Sequence, residues 1–579
     1  MSESAWPRKL HVRSLNYLYR SHIPTYVAAR LLAESLHPSH IEEWSNSYVL
    51  RKCQTNRRQV YWKHSLFKGF DSEGRHEYRK CVIGSPTTQL AEVWLLDRLS
   101  REPSFELPSY VYSYNLSSSQ RPHIYRHFYN GYRNRENAVA EAASRLKDAR
   151  VVVFDLRRFY PSVNVEHLRR RFNERVASTT LSKDERDVSI QCVAELTSIK
   201  NETGLPIGPP LSHALANVFL SDFDAALSTA YPGRYFRYVD DVAIVASPSE
   251  VETVKTFFEE TAKAEGLQVH RGKLDVIPAG AWQYQLNRRN SNGANEFNLL
   301  LGDVRRYLAH NPHDFESLKA TFRSEGFSLP FSRLRSVAVG SSRFRRFLNR
   351  MYTWAHRENI PRPASLIQRA HDIRRYATLT LERSLSELDD SSNGMQRRWH
   401  IQHLRNLINR SLYLMPDDHR SALLKRVPDY LELHPTKVVL EALVTNDASA
   451  VMKYPGPTVS AFCELWLETK NHRPTVDWSS APAKEERDSA SVIALYGLCS
   501  PPEDWTNQLV EASSRTMVRL TSREQPKQRS FDDFSYIDEI ESLFLRPAIK
   551  FDQILSSRFD EGEDVVLPAL DLGGQHYLS

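Results

Sequence analysis

The stretch Tyr235-Phe236-Arg237-Tyr238-Val239-Asp240-Asp241-Val242-Ala243-Ile244-Val245-Ala246 sets two adjacent carboxylates between two apolar runs. The flanks are aromatic or β-branched and of strand length, so the segment reads as two short strands, Tyr235 to Val239 and Val242 to Ala246, around a turn. Acids held side by side at a hairpin tip repel one another, and a divalent cation is the usual remedy. A plain Asp-Asp turn is the competing explanation, because Asp is a common turn residue. At this composition a Y-x-D-D tetrapeptide arises by chance in about one chain of this length in ten, so the segment decides nothing alone.

Working outward, the run Val151-Val152-Val153-Phe154 ends in Asp155 and continues Leu156-Arg157-Arg158-Phe159-Tyr160-Pro161-Ser162-Val163, after a helical pattern from Glu136 to Lys147. A carboxylate again closes a buried strand. Strand-end carboxylates at Asp155 and Asp240 are what two metal ions about 4 Å apart need for in-line phosphoryl transfer. Between them Gly204-Leu205-Pro206-Ile207-Gly208-Pro209-Pro210-Leu211-Ser212 is a loop opening a helix. Glycine there lets backbone come close to a nucleotide or base, and a helix start is electropositive.

In this order the three pieces resemble motifs A, B and C of the reverse transcriptase palm: D-x-x-x-F-Y-P-S-V at Asp155 to Val163, G-L-P-I-G-P-P-L-S at Gly204 to Ser212, and Y-V-D-D at Tyr238 to Asp241. The resemblance covers about residues 75–290. It implies an α+β fold, with the fingers and palm of a right-hand polymerase followed by an all-α, repeat-like C-terminal domain that replaces or follows the thumb. The implied divisions are 1–150, 151–295 and 296–579. It further implies an RNA-directed DNA polymerase that adds dNTPs to a 3′-hydroxyl with two Mg2+ ions, Mn2+ being an alternative. Asp155 and Asp240 are then metal ligands, Leu156 lends its backbone carbonyl, and Asp241 is the second motif C carboxylate, with a smaller or indirect metal role.

The resemblance gives further residues a role. Tyr160 falls where reverse transcriptases carry the bulky residue facing the sugar 2′ position, although a core aromatic beneath the palm fits the same letters. Gly266 to Lys273 resembles motif D, with Lys273 as the acid that protonates departing pyrophosphate or simply a surface lysine. Tyr78-Arg79-Lys80-Cys81 and Ser85 to Leu90 resemble the start of the fingers, which makes Arg79, and Arg126 among Arg121, Arg133 and Arg135, triphosphate-binding candidates. Gly208 is the point of close backbone approach. Asn217, five residues after Ser212, either faces the nucleotide or is a helix-surface amide.

Departures from familiar branches narrow the kind. Ile207 stands where retroviral and group II intron enzymes carry a glutamine, no H-N-H pattern, zinc-finger cysteines or RNase H constellation follows, and retron signatures are missing. F-Y-P-S, L-P-I-G-P and about 280 helical residues after the palm resemble the bacterial anti-phage reverse transcriptases of the abortive-infection and unknown-group lineage. That implies DNA synthesis in phage defence, in some members without a template and primed on a protein tyrosine, often from a homo-oligomer. A conventional RNA-templated enzyme paired with a noncoding RNA, and a non-catalytic RNA-binding scaffold, are the alternatives.

Composition bounds the rest. At 579 residues, 41% apolar and 25% charged, the chain has the balance of a globular protein of several domains. No run of about 18 uncharged apolar residues is present and no secretory leader is expected, and the five cysteines (Cys53, Cys81, Cys192, Cys463, Cys499) form no C-x-x-C pair. A cytoplasmic protein without disulfides, zinc or membrane contact is expected. The charge is polarised: residues 331–410 hold 16 arginines, no lysine and 6 acids, whereas 501–579 hold 8 basic and 15 acidic residues. Arginine without lysine suits phosphate contact, but an ion-paired helix face, or pairing with the acidic tail, explains it too. Residues 1–110 read as short helical patterns, Leu267 to Ile277 as extended and Trp282 to Gln285 as a short strand pair. Helices are expected at Pro363 to Leu388, Met395 to Leu414, Asp417 to Leu433, Thr458 to Glu468 and Glu485 to Leu498.

Overall fold

The computed structural model describes residues 9–35, 61–118, 121–199, 202–290, 294–334, 360–386, 394–479, 483–502, 554–555 and 559. Parts of the Arg-rich stretch (335–359 and 387–393), nearly all of the acidic tail, and Cys53 therefore lie outside the described residues.

The segment expected to form the palm folds into a four-stranded antiparallel sheet made of Tyr235–Tyr238 (β4), Asp241–Ala246 (β5), Arg150–Asp155 (β3) and Asp275–Pro278 (β6), in the order β4-β5-β3-β6. Side chains alternate across a strand, and here both faces are covered. Val152, Phe154, Val242 and Ile244 enter a core with the helices Val165–Ala177, Pro210–Phe219 and Val251–Ala264. Val151, Val153, Ala243 and Val245 enter another with Phe128–Ser144 and Ala279–Asn290. Double-sided burial is why β3 reads as an unbroken apolar run. The expected strand pair at Trp282 to Gln285 is a helix instead. Trp282 and Leu286 are four residues apart and share one buried face, with Trp282 set edge-on to Trp399 at 5.1 Å, so helical spacing overrides the local aromatic signal.

A hairpin of Tyr61–Phe70 (β1) and His76–Gly84 (β2) precedes the palm, where the sequence suggested only short helices. It joins the two halves of the molecule. Phe67 N–H donates to Pro455 O at 3.0 Å and Val82 N–H to Ile207 O at 2.7 Å, while Ser65 N–H donates to Asp488 Oδ2 at 3.2 Å.

The helices expected after the palm form at Pro363–Ser386, Gly394–Leu414, Pro457–Thr469 and Lys484–Leu495; Asp417–Leu424 ends earlier than expected. The N-terminal helices Lys9–Ser21 and Ile23–Ser35 share one core with them. Tyr19 donates its hydroxyl proton to buried Glu464, and the Arg333 guanidinium lies 4.0 Å from the Tyr19 ring centre. Among the described residues no helix is long and apolar enough to cross a membrane.

Candidate active site

Sheet register brings the sequence-predicted carboxylates together. β3 and β5 pair so that Asp155 lies directly opposite Asp241, while Tyr238 also pairs with Asp241, leaving Val239 and Asp240 as the hairpin tip. The backbone locks the two motifs: Leu156 N–H donates to Asp240 O at 3.3 Å and His270 N–H to Asp155 O at 2.8 Å. The second contact brings the motif D segment alongside, and Lys273 Nζ reaches Asp155 Oδ2 at 2.7 Å.

The tip is held in an uncommon conformation. Val239 has φ of 58°, a left-handed backbone that a β-branched residue rarely adopts, and such strain persists only where surroundings enforce it. Three groups do so. Ser113 Oγ accepts from Val239 N–H at 2.7 Å, Arg237 Nη1 donates to Val239 O at 3.0 Å, and the same Nη1 donates to Asn217 Oδ1 at 3.1 Å. Arg237 is fully buried and pairs with Asp224 through two bonds of 2.7 Å. Asn217 therefore braces the turn from behind, with its amide nitrogen on Ser113 O at 3.2 Å, and does not line the cleft. Neither candidate role, nucleotide contact or surface amide, describes it.

Electrostatics at the tip are unfavourable without a cation. Burial first, then the neighbouring Asp241 and Asp155 charges, holds Asp240 well above the usual carboxylate range. Asp155 is also raised by burial, with Lys273 opposing. Asp240 Oδ1 is buried without a hydrogen-bond partner, a feature native proteins rarely leave unexplained. Among the described residues no three His, Cys, Asp or Glu side chains converge as a ready-made cage. The donors are hard oxygens on adjoining strands, a set that fits Mg2+ or Mn2+ whose coordination is completed by water and substrate phosphates.

These residues open on a cleft of about 1790 Å³. Its walls carry Leu156, Tyr160 and Lys273 from the palm, Arg79 from β2, and Arg126, Arg133 and Arg135 from the segment before β3. Arg121 is not among them; its carbonyl accepts from Arg13 Nε at 2.9 Å. Gly208, expected to give close approach to a nucleotide, is committed elsewhere. With φ of +118°, a Cβ added there would lie 2.2 Å from Val82 O, so the glycine is needed for the loop to dock on β2.

Residues 51–289 match the family model described as Reverse transcriptase (RNA-dependent DNA polymerase). The chain carries a reverse transcriptase domain. That domain spans the hairpin, the palm and the segment bearing Lys273, and it supports RNA-directed DNA polymerase activity; such domains use divalent metals. No curated protein matches the chain.

Sequence reasoning missed several parts of the reverse transcriptase domain. Glu92, on the helix Pro86–Leu99, is fully buried beneath motif B, where its carboxylate accepts from Tyr61 Oη at 2.6 Å and from Leu211 N–H at 3.1 Å. Burial pushes it up to about 7. His213 is buried beside Tyr160; its position directly after Ser212 was the only available signal. Arg237 stood in plain view inside the motif C flank.

The Arg-rich stretch divides. Arg369 pairs with Asp303 and Glu296 at 2.5 and 2.8 Å, Arg397 pairs with Glu432 at 2.6 Å, and Arg398 pairs with Asp275. Among the described residues of the stretch, Arg369, Arg397 and Arg398 are thus held in internal ion pairs. Arg397, Arg398, Arg405 and Arg410 nonetheless line the cleft from the helix Gly394–Leu414, facing the palm.

Proposed function

We propose that the chain is a Mg2+-dependent DNA polymerase of reverse transcriptase type that extends a 3′-hydroxyl with dNTPs, and that it serves anti-phage defence. The carrying observation is the register that sets Asp155 opposite Asp241, with buried Asp240 Oδ1 left without a protein partner. Asp155 and Asp240, with the Leu156 carbonyl, are the residues that would hold two ions, which when bound activate the hydroxyl and neutralise the transferring phosphate. Mn2+ shares the donor chemistry.

The chain's own groups supply the rest. Arg79 Nη1 and Arg135 Nη2 are buried N–H groups in residues lining the cleft and have no partner, as expected of donors kept for triphosphate oxygens. Lys273 faces the same space with an ammonium able to protonate departing pyrophosphate. Tyr160 is buried in the core beside the cleft it helps to line, and in this reading its ring excludes a 2′-hydroxyl by volume. The Gly394–Leu414 face gives a basic wall for the backbone of the DNA product or its template.

The defence role is supported by F-Y-P-S, L-P-I-G-P and the helical half that follows the palm. In this reading the enzyme works in the cytoplasm, and priming on a tyrosine without template is its distinctive mode. The test is incubation of wild-type and Asp240→Asn protein with Mg2+ and labelled dNTPs, with and without RNase and proteinase K, on a denaturing gel. Product that survives RNase and enters the gel only after protease supports protein-primed synthesis. Loss of product after RNase points to a bound RNA instead, and equal signal from the variant overturns the polymerase assignment.

A further inference from the structure

The phenol of Tyr160 is tied at its far end. Its hydroxyl lies 2.7 Å from His213 Nδ1, and His213 Nε2 lies 3.1 Å from the Tyr17 hydroxyl, which in turn lies 2.5 Å from Gly208 O. The direction of the protons follows from the last link. A carbonyl only accepts, so Tyr17 gives its proton to Gly208 O and uses its oxygen to accept Nε2–H from His213. That fixes the tautomer, leaves Nδ1 bare, and makes Tyr160 the donor to it. A protonated imidazole breaks this chain, and burial holds His213 down at about 3, neutral at working pH.

The surroundings fix the imidazole as firmly as its bonds do. His213 is 1% exposed, and Tyr114 lies flat on it with ring centres 3.9 Å apart and planes 1° from parallel. Tyr114 has φ of 50°, so a second strained residue is kept in place where it clamps this ring. At the backbone end, Tyr160 O accepts from Leu205 N–H at 2.8 Å. A Cβ at Gly204 would come within 2.4 Å of that same oxygen.

We propose that His213 is a positioning residue for sugar selection: with Tyr17 it holds the Tyr160 ring in one orientation, so that discrimination between dNTPs and NTPs depends on a hydrogen-bond relay running from Gly208 through the N-terminal helix to the ring. This rests on the reading of Tyr160 as the residue that excludes the 2′-hydroxyl. An untethered ring still occupies the space, but it can turn aside. Loss of one neutral hydrogen bond corresponds to a change of about 3- to 10-fold in the NTP-to-dNTP incorporation ratio.

The experiment measures that ratio for the full chain with Mg2+ in wild type, Tyr160→Ala, Tyr160→Phe, His213→Leu, His213→Asn and Tyr17→Phe. A ratio is insensitive to how much of each preparation is folded. Tyr160→Ala should raise it most. His213→Leu and Tyr160→Phe should each raise it by about 3- to 10-fold, and together by no more than either alone, because both cut one link. His213→Asn, whose amide oxygen can stand near the place of Nδ1, should recover most of the wild-type ratio, and Tyr17→Phe should fall between. If Tyr160→Ala relaxes selection while His213→Leu and Tyr160→Phe leave it unchanged, the relay is refuted and the gate stands. An unchanged ratio in Tyr160→Ala removes the gate, and the relay with it.

Discussion

Replacing Glu92 by glutamine should stabilise this protein at pH 8 and do much less at pH 5. Glu92 is fully buried, and its carboxylate joins Tyr61 to the start of the motif B helix. Burial raises it from the ordinary 4.5 to about 7, more than the two hydrogen bonds it accepts can offset. Below 4.5 the group is protonated in folded and unfolded chains alike and contributes nothing to their difference. As pH rises towards 7 the unfolded chain releases its proton first, so the folded form holds more protons and stability falls. Above 7 the folded protein carries a buried charge, and at 1.36 kcal/mol per pH unit the loss reaches about 3 kcal/mol. Near pH 5 the same calculation gives about 1 kcal/mol.

Glutamine removes the titration and keeps the shape, with its amide oxygen able to accept Leu211 N–H and its nitrogen able to donate to Tyr61 Oη. Any misfit of the amide adds equally at both pH values. The variant-minus-wild-type difference in unfolding free energy should therefore grow by about 2 kcal/mol between pH 5 and pH 8, seen as a widening gap of several degrees in melting temperature. Paired melts at the two pH values provide the measurement. A gap that stays constant with pH would refute the argument that burial raises the Glu92 carboxyl in the folded protein.

Asp240→Asn should abolish dNTP incorporation and leave the melting temperature equal or higher, since it removes one of three crowded carboxylates; a clear drop in melting temperature would show that the cluster is not strained. Arg237→Met leaves Asp224 buried without its cation and should cost about 3–5 kcal/mol, read by denaturant unfolding, with incorporation falling as the Val239 turn loses its brace. Lys273→Gln should slow nucleotide addition by about 100-fold or more if the ammonium is the general acid. The check is single-turnover kinetics at saturating dNTP, where a change confined to apparent binding counts against that role.

The palm was legible because its residues answer to local rules. Val151 to Phe154 is apolar on both faces, and Asp155 and Asp240 end strands, so motif spacing and strand pattern agree. What was not legible depends on distant partners. β1 and β2 mix lysines, aromatics and histidines because one part faces the cleft and another packs on residues near Pro455 and Asp488. The role of His213 needs Tyr17, which is 196 positions away. Motif position alone points Gly208 towards the nucleotide and leaves Asn217 between the nucleotide and the helix surface, whereas their neighbours, Val82 and Arg237, give each a structural task. Trp282 was misread because aromatic content outweighed its spacing to Leu286.

The bond between Tyr19 and Glu464 joins positions 445 residues apart, and it sets a schedule for synthesis. At about 5–20 residues per second, the ribosome makes the N-terminal helices roughly 20–90 s before their partner helix exists. All four strands of the palm sheet lie before residue 290, so they can pair early, while Trp399 and Arg398 reach one side of it only later. The side of these helices that meets the later ones, Tyr19 included, meanwhile waits uncovered. A nascent chain halted after the palm is therefore expected to hold a formed catalytic sheet together with a sticky, unfinished flank, which makes this stage of synthesis the one most in need of a chaperone.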